Sequence, residues 1–100
     1  MFRNGSAELL FHSKRLFDDG AIAELKIWAL PEPVLGSTHR LRYSLYYGHG
    51  GRRLVGYDNE RGKGDHRHHG DREETYVFTT LDQLVADFEQ DVTVLRGAAR

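Results

Sequence analysis

The sequence predicts an α+β fold, in which an antiparallel sheet of about five strands carries a C-terminal amphipathic helix packed on one face. Two observations indicate this class. Residues 21–30 and 39–47 alternate apolar with polar side chains, which is typical of strands that bury one face. Residues 81–95 instead repeat apolar side chains three and four positions apart, which is typical of a helix lying on a sheet.

Turn signals divide the predicted sheet into strands. Five segments are expected to form strands: residues 7–17, 21–30, 39–47, 52–59 and 72–78. Asp18-Asp19-Gly20 and the glycine-rich residues 48–51 separate strands, because Gly and Asp tolerate the backbone of tight turns. Pro31 ends the second strand, since proline cannot donate to a ladder. Residues 60–70 contain three glycines and are expected to be a loop or an irregular start of a strand.

The predicted helix has signals at both ends. Thr80 is the expected N-cap, and Gln83 three residues later completes a capping box. Asp82 in the first turn and Arg96 in the last suit the helix dipole, and Gly97 is expected to end the helix.

Composition limits the class of protein. The chain has 100 residues, which fits a single domain spanning residues 1–100, with residues 1–6 as a flexible N-terminus. It contains no cysteine, so disulfides, thiolate metal sites and cysteine nucleophiles are excluded. No apolar run approaches the roughly 20 residues that span a bilayer, and the N-terminus lacks the apolar stretch of a secretory signal. We therefore expect a cytoplasmic protein with no membrane partner.

The net charge is −1, but basic residues concentrate in the middle of the chain. The predicted hairpin of residues 39–47 and 52–59 carries arginines that could neutralise phosphates and tyrosines that could stack on bases. The predicted RNA-binding residues are Arg40, Arg42, Arg52, Arg53, Tyr46 and Tyr57. The alternative is that this hairpin has ordinary solvated strand faces.

Residues 57–73 have almost no apolar side chain, so core packing does not explain them. In an extended chain His66 and His68 point to the same face, roughly 6.5–7 Å apart, which lets two imidazoles bracket one phosphodiester. Imidazole suits proton transfer because its unperturbed pKa is about 6.5. Nearby cations could stabilise phosphate charge in the transition state, and a carboxylate could orient a histidine. The predicted catalytic residues are His66, His68, Asp65, Lys63, Arg67 and Asp58.

Three other interpretations of this segment stay open. His66 and His68 could chelate a metal ion, with Glu73 as a third ligand. The segment could be a structural loop with solvated histidines. It could also belong to a nucleic-acid-binding module without catalysis. We favour catalysis that uses neither a metal ion nor another cofactor.

The run from Gly56 to His68 resembles the signature of the TumE family of toxins, and its most specific part is Lys63-Gly64-Asp65-His66-Arg67-His68. Upstream segments are similar to the family in order and spacing, and the resemblance covers about residues 7–95. The positions that match the family signature are Asp58, Asn59, Lys63, Asp65, His66, Arg67 and His68.

This resemblance implies the toxin of a bacterial type II toxin–antitoxin module, neutralised by a cognate antitoxin with a helix-turn-helix DNA-binding domain. It implies a homodimer or a toxin–antitoxin hetero-oligomer as the assembly. Toxins of this size are commonly ribonucleases or translation inhibitors, so we expect a metal-independent endoribonuclease or a translation inhibitor acting on RNA. The alternatives are a non-catalytic antitoxin- or RNA-binding module and a metal-dependent hydrolase.

Overall fold

The computed structural model describes residues 7–98, in which six strands form one antiparallel sheet followed by a helix. The strands lie side by side in chain order. Their bounds are β1 Glu8–Leu16, β2 Ile22–Ala29, β3 Leu41–His49, β4 Arg52–Glu60, β5 Gly64–His69 and β6 Arg72–Thr75, and the helix α1 is Leu81–Ala98. The predicted α+β class is confirmed. The expected flexible segment, residues 1–6, lies outside the described residues.

The sheet has six strands where about five were expected, and the additional strand is β5. Its glycines lie at its ends rather than within it: Gly62, Gly64 and Gly70 have φ angles of 84°, 79° and 61°. These positive φ angles suit glycine because it has no Cβ. Residues 65–69 between them are extended and pair with β4 on one side and β6 on the other.

Alternation along β2, β3 and β4 gives the sheet one buried face, which α1 covers. The helix contributes a stripe of residues four positions apart, and Phe88 packs edge-to-face on Tyr57 with ring centroids 6.0 Å apart. The core consists of Ala21, Ala23, Leu25, Ile27, Tyr43, Leu45, Tyr47, Val55, Tyr57, Tyr76, Leu84, Phe88 and Val92. Each large side chain buried there contributes about 1.5–3 kcal/mol of transfer free energy.

The helix begins as the sequence predicts and extends further than expected. The backbone N–H of Gln83 donates to Thr80 Oγ1 at 3.0 Å, which confirms the N-cap. The Gln83 side chain donates to Asp87 Oδ1 at 2.7 Å instead of completing a capping box. Gly97 lies inside α1 rather than ending it. Within residues 7–98, no helix has the length and hydropathy needed to cross a membrane.

The other face of the sheet is polar, and in the part of the chain that the structure describes no helix packs on it. Strand pairing brings together side chains from five strands on this surface, which we call the open face. It includes Lys26, Trp28, Arg42, Ser44, Tyr46, Asp58, His66, His68 and Glu73. Residues of the same strands at the intervening positions form the core.

Asn59 extends the pairing of β3 with β4 beyond its last backbone pair. That pair is Ser44 with Asp58, and beyond it the Asn59 carboxamide replaces a strand partner. Its Oδ1 accepts from the Tyr43 N–H at 2.9 Å, and its Nδ2 donates to the Leu41 carbonyl at 2.6 Å. Asn59 is 4% exposed, so these backbone groups have no easy access to water once the side chain is removed.

We expect Asn59→Ala to lower the free energy of unfolding by about 2–4 kcal/mol, because it leaves one buried and one partly buried backbone group without partners. Gln90→Ala, which removes an exposed amide from α1, is the matched control and should change stability by less than about 0.5 kcal/mol. Urea denaturation followed by circular dichroism measures both values. Equal stability of the two variants would contradict a structural role for the Asn59 carboxamide.

Candidate functional site

Strand β5 divides the predicted catalytic segment between the two faces of the sheet. His66 pairs with Asp58 and His68 pairs with Gly56, which places both imidazoles on the open face. Asp65 pairs with Asn59, and Arg67 pairs with Tyr57, on the side that the helix covers. The predicted common face of the two histidines is therefore present, but Asp65 and Arg67 are not on it.

On the open face, a carboxylate lies among two imidazoles and an ammonium group. Glu73 Oε2 is 3.4 Å from His66 Nδ1, 3.8 Å from His68 Nε2 and 3.4 Å from Lys63 Nζ. Strand β6 supplies Glu73, directly opposite His68 on β5, and the β4–β5 turn supplies Lys63. We call these four residues, with Asp58 and Arg53, the histidine cluster.

Fixed partners determine which ring nitrogens carry protons. His66 Nε2 lies 2.7 Å from the Lys63 carbonyl oxygen, which can only accept, so Nε2 carries the hydrogen and Nδ1 faces Glu73. Arg53 Nη2 donates to His68 Nδ1 at 3.1 Å, so the hydrogen of this ring is on Nε2. That nitrogen lies 3.7 Å from Asp58 Oδ2. Each imidazole is 13% exposed, and the two rings therefore have defined orientations.

Glu73 remains ionised in this cluster. Partial loss of solvent raises its pKa, but the hydrogen bond and charge of Lys63, with a smaller effect of the two histidines, leave the pKa below its ordinary value. The position between the two imidazoles therefore holds a negative charge at neutral pH.

The alternative metal ligands, His66, His68 and Glu73, lie beside one another. Across residues 7–98, however, no three His, Asp or Glu side chains are arranged so that they could hold a metal ion. The contacts of Glu73 with both rings are ion-pair distances of 3.4 and 3.8 Å rather than the convergence of three donors on one point.

Asp65 attaches a loop to the sheet. Its carboxylate accepts hydrogen bonds from Ser37 Oγ, His39 Nε2 and the Tyr43 hydroxyl, each at 2.7 Å. Burial and the contact with Asp65 raise the pKa of Tyr43. The histidine that Asp65 orients is thus His39, which sequence reasoning did not single out. No local pattern indicates this contact, since Asp65 and His39 are 26 positions apart.

Arg67 and Tyr57 belong to a polar network under the helix. The Arg67 guanidinium donates to Glu74 and, at 3.3 Å, to the Tyr57 hydroxyl. Tyr57 donates to Asp91 of α1, and His69 Nε2 contacts the same carboxylate at 2.9 Å. Burial raises the pKa of Tyr57, and the hydrogen bond from Arg67 lowers the pKa of Glu74. Tyr57 is 0% exposed, so its ring is unavailable for stacking on a base.

The other predicted RNA-binding residues lie at separate places. Arg53 lies over Gly56, where there is no side chain, and reaches His68. Arg42 lies against the Trp28 ring, 5.7 Å from its centroid, and Tyr46 is on the open face opposite Gly56. Arg40 and Arg52 are exposed near the beginnings of β3 and β4. Trp28 was not among the predicted residues, although the alternation of β2 already placed it on the polar face.

The structure defines a class of protein: a small α+β domain with one covered sheet face and a histidine cluster on the open face. The family model described as Toxin TumE matches residues 6–96, so the chain belongs to this toxin family. The resemblance inferred from residues 56–68 is thereby confirmed. Comparisons with curated proteins and with solved structures gave no match.

The placement of Tyr57 under the helix predicts a stability effect. Tyr57→Phe removes the hydroxyl that joins Arg67 to Asp91, and we expect the free energy of unfolding to fall by about 1–2 kcal/mol. Tyr46→Phe removes a hydroxyl from the open face and should change stability by less than about 0.5 kcal/mol. Chemical denaturation compares the two. An equal loss of stability in both variants would contradict a stabilising role for the hydrogen bonds of the Tyr57 hydroxyl.

Proposed function

We propose that this toxin is a metal-independent endoribonuclease that uses His66 and His68 as its general base and general acid. One observation carries the proposal: the Glu73 carboxylate lies among His66, His68 and Lys63. That position accommodates an anion and has an acid/base group on either side. A substrate phosphate that displaces the Glu73 side chain would meet the same three partners.

The reaction follows from the positions of the protons. His66 Nδ1 takes the proton of a ribose 2′-hydroxyl, and the 2′-oxygen attacks the neighbouring phosphorus. The bond from phosphorus to the 5′-oxygen breaks, and His68 gives that oxygen its proton. The products are a 2′,3′-cyclic phosphate and a 5′-hydroxyl, and no co-reactant is consumed. Arg53, by turning from His68 Nδ1 to the phosphate, frees that nitrogen to take a proton from water, so that His68 carries a proton on both nitrogens before it gives the Nε2 proton to the 5′-oxygen. After the reaction His66 Nδ1 returns its proton to water.

The charges of the cluster support catalysis on a phosphodiester. Lys63 lies at the anion position, where a positive charge stabilises the transition state, and Arg53, which contacts His68 Nδ1, would add a second charge by turning to the phosphate. Arg40 and Arg52 would neutralise phosphates further along the strand. Asp58 would act as a positioning residue for His68 across 3.7 Å.

Family membership supports an antitoxin partner. We propose that a cognate helix-turn-helix antitoxin forms a hetero-oligomer with this chain in the cytoplasm and covers the open face. One surface would then serve both RNA and antitoxin, and neutralisation would be steric. The alternatives are that the open face only binds RNA or antitoxin, and that His66, His68 and Glu73 rearrange around a metal ion for hydrolysis.

We expect His66→Ala and His68→Ala each to reduce RNA cleavage by about 100-fold or more and to abolish growth inhibition, because each removes one proton-transfer group. His12→Ala, at a 45% exposed imidazole of β1, is the matched control and should leave both activities unchanged. Circular dichroism checks folding. Full growth inhibition by both cluster variants would remove the two histidines from the mechanism.

Cleavage should persist in EDTA and leave 2′,3′-cyclic phosphate ends, because the proposed route needs only imidazoles and the 2′-hydroxyl. End-group analysis of the cleaved RNA by mass spectrometry measures this directly. Loss of cleavage on chelation, with recovery on addition of Zn²⁺ or Mn²⁺ and 5′-phosphate products, would favour the metal-dependent alternative. An intact RNA with persistent growth inhibition would favour the non-catalytic one.

A further inference from the structure

A groove on the open face extends from Asp58, at the edge of the histidine cluster, to β2 and the loop that follows it. Its floor is formed by open-face side chains of β2, β3 and β4, among them Trp28, Arg42 and Asp58. The loop after β2 forms a wall with Pro31, Val34 and other apolar residues. The Trp28 side chain is not part of the core and has no role in the proposed proton transfers.

Trp28 and Arg42 present two flat side chains at one end of this groove. They are paired across β2 and β3, and the Arg42 guanidinium carbon lies 5.7 Å from the Trp28 ring centroid. Indole rings and guanidinium planes are the groups on which unpaired bases stack in proteins that bind single strands. Trp28 is partly exposed, so part of its side chain is accessible from the groove.

The charges of the groove fit a base better than a phosphate. Its cationic side chains are matched in number by acidic ones: Lys26, Arg42, Arg61, Glu32, Asp58 and Glu60. Such a balanced surface does not attract an anion, but it offers donors and acceptors to the edge of a neutral ring.

The groove lies close enough to the histidine cluster for one RNA strand to contact both. Trp28 on β2 and His66 on β5 are separated by three strand spacings of about 4.8 Å and by two residues along the strands, or roughly 16 Å in all. A single strand can cross that distance within a few nucleotides. Asp58 lies at the junction, because it contributes to the groove and faces His68 at 3.7 Å.

We propose that this groove is a nucleobase subsite, in which Trp28 stacks on a base of single-stranded RNA a few nucleotides from the bond at the histidine cluster. The subsite rests on the proposed function for its substrate, and it adds a residue that positions the strand and sets its register. Its occupant is RNA; an acidic peptide segment is the competing occupant that the experiment distinguishes.

Trp28 is the only tryptophan of the chain, so its fluorescence reports on this groove directly. The full chain is titrated with 2′-O-methyl RNA dodecamers, which lack the attacking hydroxyl and cannot be cleaved by the proposed route. We expect saturable quenching of the tryptophan emission. An abasic dodecamer with the same phosphates, and a polyglutamate peptide of the same charge, should quench little.

Affinity measurements with variants complete the test. Trp28→Ala should weaken binding of the dodecamer by about 5- to 150-fold, and Trp28→Phe should restore most of the affinity. Phe11→Ala removes a 46% exposed aromatic that pairs with Ile27 on the helix side, and it should have no effect. Circular dichroism confirms that each variant is folded.

The outcomes separate the subsite from the catalytic proposal. Quenching by base-containing RNA without any cleavage of ordinary RNA would support the subsite and reject the nuclease. Histidine-dependent cleavage with no quenching and unchanged affinity in Trp28→Ala would overturn the subsite and leave the nuclease. Quenching by the abasic dodecamer or by polyglutamate equal to that by RNA would also overturn it.

Discussion

Successive side chains of a strand point to opposite faces of a sheet, and in β5 this constraint separates two sets of polar residues. Asp65, Arg67 and His69 lie on the helix side, where they hold a loop, the neighbouring strands and α1. His66 and His68 lie on the open face, free of the core. A shift of β5 by one residue would exchange the two sets and place His66 and His68 on the helix side.

The helix-side set gives the open-face set its rigidity. Asp65 accepts three hydrogen bonds, and the carboxylate of Asp91 joins Tyr57 and His69 to the helix. A polar network of this kind is stabilising only when its members are satisfied, and here most of them are. It fixes the register of β5 against β4 and β6, and with it the two imidazoles. The proposed proton transfers depend on this, because catalytic groups work best when neighbouring residues hold them in one geometry.

The sequence alone predicts the strands and the helix whose apolar residues alternate or recur at regular spacing. Strands β2 and β3 and the helix follow from apolar spacing, and the Thr80 cap follows from local chemistry. Strand β5 was not predicted, because it has almost no apolar residue with which to show a period. The common face of His66 and His68 followed from strand geometry, whereas the partners of Asp65 did not, since they come from a loop distant in sequence. Tyr57 was expected to be available for stacking because its neighbours in the sequence are polar, but its side chain lies on the buried face of the sheet.

We infer that the open face is the working surface of this protein, and the absence of cysteine allows it to be blocked at one point. Ser44→Cys places a single thiol on the open face between Lys26 and Asp58, and Gln90→Cys places one on the exposed side of α1. Each purified variant is modified with a bulky maleimide and added to a cell-free translation reaction. We expect modification at position 44 to abolish inhibition of protein synthesis and modification at position 90 to leave it intact. Full inhibition after complete modification at position 44 would contradict the assignment of function to this face.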